Sequence, residues 1–244
     1  MHDAPAETVI APTAYPATQV APWWHTLLFI ALLIGGSAFN ARQMHLHGLA
    51  SHHVQRYTAG ILVEALLFLI AWWGVRMRQV RIADLIGLRR GEFARDLGAA
   101  AIFWIIAIIV LACIGIALRL LHFGEPQKAI AQLAPQSPLE MLLWIALSAS
   151  AGFVEEFVFR GYFLRQFSSP LHQLWVGVIA SSLLFGCSHA YEGAAGMIAI
   201  TAYGALFCGV TILRRSLRPG MIAHAWHDIF TGAMLAVAHH FHAI

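Results

Sequence analysis

Residues 139–167 read LEMLLWIALSASAGFVEEFVFRGYFLRQF, and Glu155, Glu156 and Arg160 interrupt a run otherwise apolar enough to cross a bilayer. An ionised group at the centre of a membrane helix costs roughly 2.5–3.5 kcal/mol on insertion scales, so a cluster of such groups demands a compensating partner or a purpose. The default reading of this stretch is a functional site inside a membrane helix. The blander one is that both carboxylates brace helices against each other, or sit neutral.

The rest of the chain has the same character. It is 59% hydrophobic and 11% charged, with mean hydropathy +0.70, which excludes an ordinary soluble domain. Apolar runs long enough to span read at about 23–39, 57–75, 97–121, 139–167, 174–190, 194–213 and 221–239, allowing about 20 residues per crossing. The predicted fold is all-α: a polytopic transmembrane helix bundle of seven membrane segments, eight at most, with the site in a cavity within the bundle. The longest polar stretch, 76–96, is too short for a separate soluble domain. One membrane-embedded domain over 23–244 is therefore expected, with its catalytic core at about 139–230. Residues 1–22 are rich in Ala, Pro and Thr and hold no Lys or Arg, which reads as a flexible tail and not as a cleaved signal peptide.

Short cytoplasmic loops accumulate positive charge. Arg76, Arg78, Arg81, Arg89, Arg90 and Arg95 lie between the second and third runs, and Arg214, Arg215 and Arg218 between the sixth and seventh. Both connections are expected in the cytoplasm. Seven alternating spans then put the N-terminus inside and His239, His240 and His242 outside. Arg42, Arg56 and Lys128 are the chief cations of the exterior loops. The net charge of +3 is thus a topology signal, and nucleic-acid binding is not expected. A usage of fourteen Arg to one Lys points to a GC-rich bacterial genome and so to a bacterial inner membrane. The sequence sets no oligomeric state.

Cys113, Cys187 and Cys208 all lie in apolar runs without a C-x-x-C pair, so no disulfide framework is implied. Cys187 is two residues from His189, but nothing nearby activates a thiol. Glu64 reads as a lone carboxylate hydrogen-bonded to a neighbouring helix. His45, His47, His52 and His53 read as a solvated loop, and Trp72, Trp73 and Trp104 as interface or core packing.

Three elements carry the chemistry. Residues four apart share a helix face, so Glu156 and Arg160 are predicted to form an internal ion pair; Glu155, about 100° round the helix, is left for another task. Phe185-Gly186-Cys187-Ser188-His189 closes the fifth run. His224 and Asp228 are four apart in the last run, where the carboxylate can orient the imidazole, while His227 has no assigned role. Glu155, His189, His224 and Asp228 together supply a base, two imidazoles and an orienting carboxylate, which suits hydrolysis of a peptide bond.

The E-E-x-x-x-R of Glu155, Glu156 and Arg160, the F-x-x-x-H of Phe185 and His189, and the H-x-x-x-D of His224 and Asp228 resemble the motifs of the CPBP family. That family comprises the type II CAAX prenyl endopeptidases, the Rce1-like enzymes, with bacteriocin-processing and immunity relatives. The likeness includes Phe159-Arg160-Gly161 and the run 213–220, covers about 139–230, and has a weaker echo at 83–88. It implies an intramembrane endopeptidase acting on a membrane-associated peptide or protein. Glu155 with His189 would activate the water, and His224 with residue 228 would stabilise the oxyanion. Asn often fills that last position in the prenyl-protein enzymes; an ionised Asp228 cannot donate a hydrogen bond, so it either orients His224 or is protonated. Glu155, His189 and His224 are also a zinc-ligand inventory, with Asp228 behind them, but without H-E-x-x-H a metalloprotease rests on composition alone and a metal-free glutamate mechanism is favoured. The rival readings are a non-enzymatic immunity or scaffold protein of the same fold and a proton-coupled transporter; no internal repeat supports the latter.

Straight crossing helices would leave His189 near the outer surface and His224 near the inner one, about 20 Å apart in depth. Convergence of Glu155, His189 and His224 therefore needs strong tilt, a short or re-entrant fifth segment, or a water-filled cavity.

Overall fold

The computed structural model describes residues 19–47, 52–88, 91–124 and 128–241; these form helices joined by short turns, with no strand among them. The long helices are α1 (Trp23–His47), α2 (His53–Met77), α4 (Phe93–Leu120), α6 (Pro138–Glu155), α8 (Leu174–Ser188), α9 (Gly193–Arg214) and α10 (Arg218–His240). Shorter pieces are α3 (Ile82–Ile86), α5 (Lys128–Ala131) and α7 (Leu164–Ser168). A π-helical stretch, Glu156–Phe163, joins α6 to α7, and a 3₁₀ turn, Ala190–Glu192, joins α8 to α9.

All seven apolar runs are helices, and five of the helices are long and apolar enough to cross a membrane: Trp23–Met44, His53–Met77, Phe93–Leu120, Pro138–Ser168 and Ala190–Arg214. Their exposed faces carry large apolar side chains such as Leu27, Leu62, Leu66, Ile102 and Ile109, as lipid contact requires. The chain is an integral membrane protein. The two remaining runs depart from the expectation of seven like crossings. With 15 residues, α8 is roughly 22 Å long against about 30 Å of hydrocarbon. In α10, His224, His227 and Asp228 interrupt the apolar sequence.

Most of the expected tail, residues 1–18, lies outside the described residues, as do Arg89, Arg90 and His242. Its last part is anchored. Val20 and Ala21 are fully buried, and their N–H groups donate to the Gln166 side chain at 2.9 and 3.1 Å. Two backbone donors inside the bundle need such a partner.

Helix packing sets the site. Tyr57 stacks edge-on against Trp144, Gly60 faces Leu147, and Phe68 meets Phe153 and Phe157. Residue numbers rise together along both helices, so α2 and α6 run parallel. Against α10 the numbers run oppositely: Trp144 Nε1 donates to the Asp228 carbonyl at 2.8 Å, while Gly152 faces Met221 and Ala225. A Cβ at residue 152 would lie 2.8 Å from both Met221 O and Ala225 N, so only glycine lets these backbones approach so closely.

At one end of the bundle the two Arg-bearing connections meet. Leu217 N–H donates to Ile86 O at 2.9 Å, Arg214 reaches Asp96 at 3.1 Å, and Arg218 reaches Asp96 at 2.6 Å. Halfway along α1, the Ser37 hydroxyl lies 2.8 and 2.9 Å from the carbonyls of Cys187 and Ser188 and accepts from Ala190 N–H at 3.3 Å. A helix can end inside a membrane only where its last carbonyls find such partners.

Candidate active site

The fifth segment is short, one of the arrangements that convergence was expected to need, and its terminal residues sit against the middle of α1. His189 caps it. Its Nδ1 is 2.9 Å from Phe185 O and 3.1 Å from Ser188 Oγ. A carbonyl only accepts, so Nδ1 carries the hydrogen and a neutral His189 keeps its lone pair on Nε2; this tautomer is assigned from the hydrogen bonding.

The Glu pair does not divide by helix face as a regular helix predicts. Glu155 closes α6 and Glu156 opens the π-helical stretch, and both carboxylates reach the imidazole of His224. Glu156 Oε1 accepts from His224 Nδ1 at 3.1 Å and from Arg160 Nη1 at 2.9 Å. Glu155 Oε2 faces the other nitrogen, Nε2, at 3.7 Å, and Asp228 Oδ2 lies at the same distance from it. Both of these are charge contacts, too long for hydrogen bonds. Glu156, and not Asp228, therefore makes the hydrogen bond that orients His224. Nothing in the sequence marks the π-helical stretch that begins at Glu156, a form that recurs at functional sites.

Glu156 and Arg160 are completely buried. The guanidinium lies 4.3 Å from the Phe185 ring centroid and 4.7 Å from that of Phe207, and it donates to Gly204 O at 3.2 Å. Phe185 is also the bridge between the two histidines, with ring centroids 5.0 Å from His189 and 6.1 Å from His224. Phe207 stacks on the other side of His224 at 5.1 Å. The supporting residues thus form a rigid aromatic and ionic frame around one imidazole.

Around Nε2 the site is less enclosed. The side chains of Glu155 and Asp228 are 13% and 32% exposed, against 6% for His224, so this is the edge a substrate or water would approach. His189 couples electrostatically to Asp228, but its Nδ1 is turned to the helix end. A cavity of about 270 Å³ exists elsewhere, between residues 135–141 and the end of α10 at His239 and His240.

No group of three or more His, Cys, Asp or Glu among the described residues gathers as a metal-ligand set. Glu155, His189 and His224 do not gather as such a set, and with Nδ1 of each histidine hydrogen-bonded it is Nε2 that is left to ligate.

A further carboxylate joins the cluster. Glu64 of α2, only 8% exposed, lies within hydrogen-bonding reach of Glu155 and couples to His224 and Asp228. Its signal was available in the sequence: Tyr57, Gly60, Glu64 and Phe68 share one helical stripe.

Comparison with known families falls on these same elements. Residues 137–230 match the Rce1-like type II CAAX prenyl endopeptidase family. The Rce1-like segment begins with α6, contains Glu155, Glu156, Arg160, Phe185, His189, His224 and Asp228, and ends within α10. It agrees with the resemblance carried by the three motifs. No similar chain is found among curated proteins or among solved structures. Outside the Rce1-like segment, α1 supplies the cap of α8 and α2 supplies Glu64.

Proposed function

We propose that this protein is an intramembrane endopeptidase of the bacterial inner membrane, cleaving a peptide bond of a membrane-associated peptide or protein without a metal. The observation that carries this reading is the closure of Glu155 and Glu156 on opposite nitrogens of His224 inside the Rce1-like segment. Glu155 is the group free to act as base, since Glu156 is already bound to Arg160 and His224. It takes a proton from water, assisted by the lone pair of His189, as the water oxygen attacks the carbonyl carbon. The resulting oxyanion is stabilised by His224 through Nε2 when that nitrogen is protonated, and Asp228 holds the ring's outer edge electrostatically. The proton held by Glu155 then passes to the leaving amine as the C–N bond breaks.

Seven membrane segments with the N-terminus and both Arg-bearing connections in the cytoplasm complete the proposal, and the pairing of Arg214 and Arg218 with Asp96 at a single end of the bundle supports it. The test is cleavage of membrane-tethered peptides by purified protein. Glu155→Gln is expected to lower turnover by about 10²–10⁴, and a zinc chelator to leave wild-type activity unchanged. Loss on chelation with recovery on added zinc establishes a metalloprotease instead. Wild type that cleaves nothing across a broad panel is a non-enzymatic binding or immunity protein of this fold.

A further inference from the structure

The carboxyl of Glu64 is buried near the site, and the hydrolytic scheme leaves it without a task. It projects from the stripe of α2 that lies along α6, one turn beyond Gly60 and one turn before Phe68, whose neighbours on α6 are Leu147 and Phe153. That register sets it level with Ala151, one helical turn before Glu155 on α6, so that the two side chains can meet. Oε2 of Glu64 and Oε2 of Glu155 are both buried with no donor against them, although the two carboxyls are within hydrogen-bonding reach of each other. Two carboxylates have only acceptors, so this approach becomes a hydrogen bond when one proton lies between them. Without that proton, two like charges would stand side by side in the interior, and the same conflict makes paired carboxyls in other enzymes share a single proton.

We propose that Glu64 and Glu155 share one proton in the resting protein, making Glu64 a positioning residue that sets when Glu155 is free to act as base. This rests on the assignment of Glu155 as the base. Glu64 does not touch substrate; it acts through Glu155, holding the proton on the α2 side while Glu155 takes one from water. The other titratable and charged groups facing the pair are Glu156 with its partner Arg160, His224 and Asp228 of α10, and Tyr191 and Glu192 of the turn after α8.

A purely structural Glu64 behaves differently. Glutamine is the same size and its amide can donate to Glu155, so a brace between α2 and α6 would survive Glu64→Gln with activity intact. Proton sharing would not. Glu64→Gln is expected to lower kcat by about tenfold or more with little change in KM, and to displace the pH profile of kcat, while Glu64→Asp recovers part of the loss. Infrared spectroscopy of the full chain in lipid nanodiscs gives a readout independent of cleavage. The carbonyl stretch of a protonated buried carboxyl should appear in wild type and disappear in both Glu64→Gln and Glu155→Gln, because one proton serves both groups. Absence of that band in wild type, its persistence in either variant, or a Glu64→Gln protein with wild-type kcat and pH profile, overturns the proposal. If wild type cleaves no peptide yet the band vanishes in both variants, the pair stands and the protease assignment falls.

Discussion

Glu156 carries the cost of being a buried charge through two donors, Arg160 Nη1 at 2.9 Å and His224 Nδ1 at 3.1 Å. Glu155 has neither and keeps an oxygen without a donor. Neighbouring residues of the same type are thereby separated into a carboxyl with two donors and one without, the proposed base. Their substitutions should separate too. Glu156→Gln leaves the guanidinium of Arg160 buried without an anion, a loss of about 3–5 kcal/mol for broken buried pairs. Thermal unfolding in detergent should show a clearly lowered midpoint, and the double change Glu156→Gln with Arg160→Met should recover much of it, since no buried charge remains. A double variant no more stable than the single one would mean that the pair is not what holds this region. Glu155→Gln, by contrast, is expected to unfold near the wild-type temperature while losing turnover.

Among the helices, α8 is the one whose end carries His189, a residue of the proposed mechanism. It stops well short of a full crossing because Ser37 of α1 receives its last carbonyls, and His189 is the residue that follows. Removing the hydroxyl in Ser37→Ala strands polar groups in the bundle at about 1–3 kcal/mol. The helix end then fraying or shifting would carry His189 with it, so turnover should drop by about tenfold or more, and Ser37→Thr should retain most of it. Activity and melting temperature measured together on the two variants check this. Wild-type turnover in Ser37→Ala would show that the position of His189 does not depend on the cap.

For the whole molecule the testable matter is sidedness. The connections around Arg78 and Arg215 lie at one end, tied by Leu217 to Ile86 and by Arg214 and Arg218 to Asp96. Gln136 precedes α6 at the other end. Single cysteines at Arg78, Arg215 and Gln136, in a chain with Cys113, Cys187 and Cys208 replaced, should label with an impermeant reagent in two groups: Arg78→Cys and Arg215→Cys only after the cytoplasmic face is opened, and Gln136→Cys from outside. Labelling of Arg78→Cys and Arg215→Cys from opposite faces would break the proposed topology. The sequence by itself determined the helical class, the helix positions, the Glu156–Arg160 pair and the motif residues, because apolar run length and i,i+4 spacing are local properties that a bilayer enforces. Tertiary structure alone decided that Glu155 and Glu156 meet on one imidazole, that α8 ends against Ser37, and that Glu64 faces Glu155. Each of these depends on which helix lies beside which and at what register, and on a cap donated from a residue more than a hundred positions away, neither of which leaves a periodic mark in the chain.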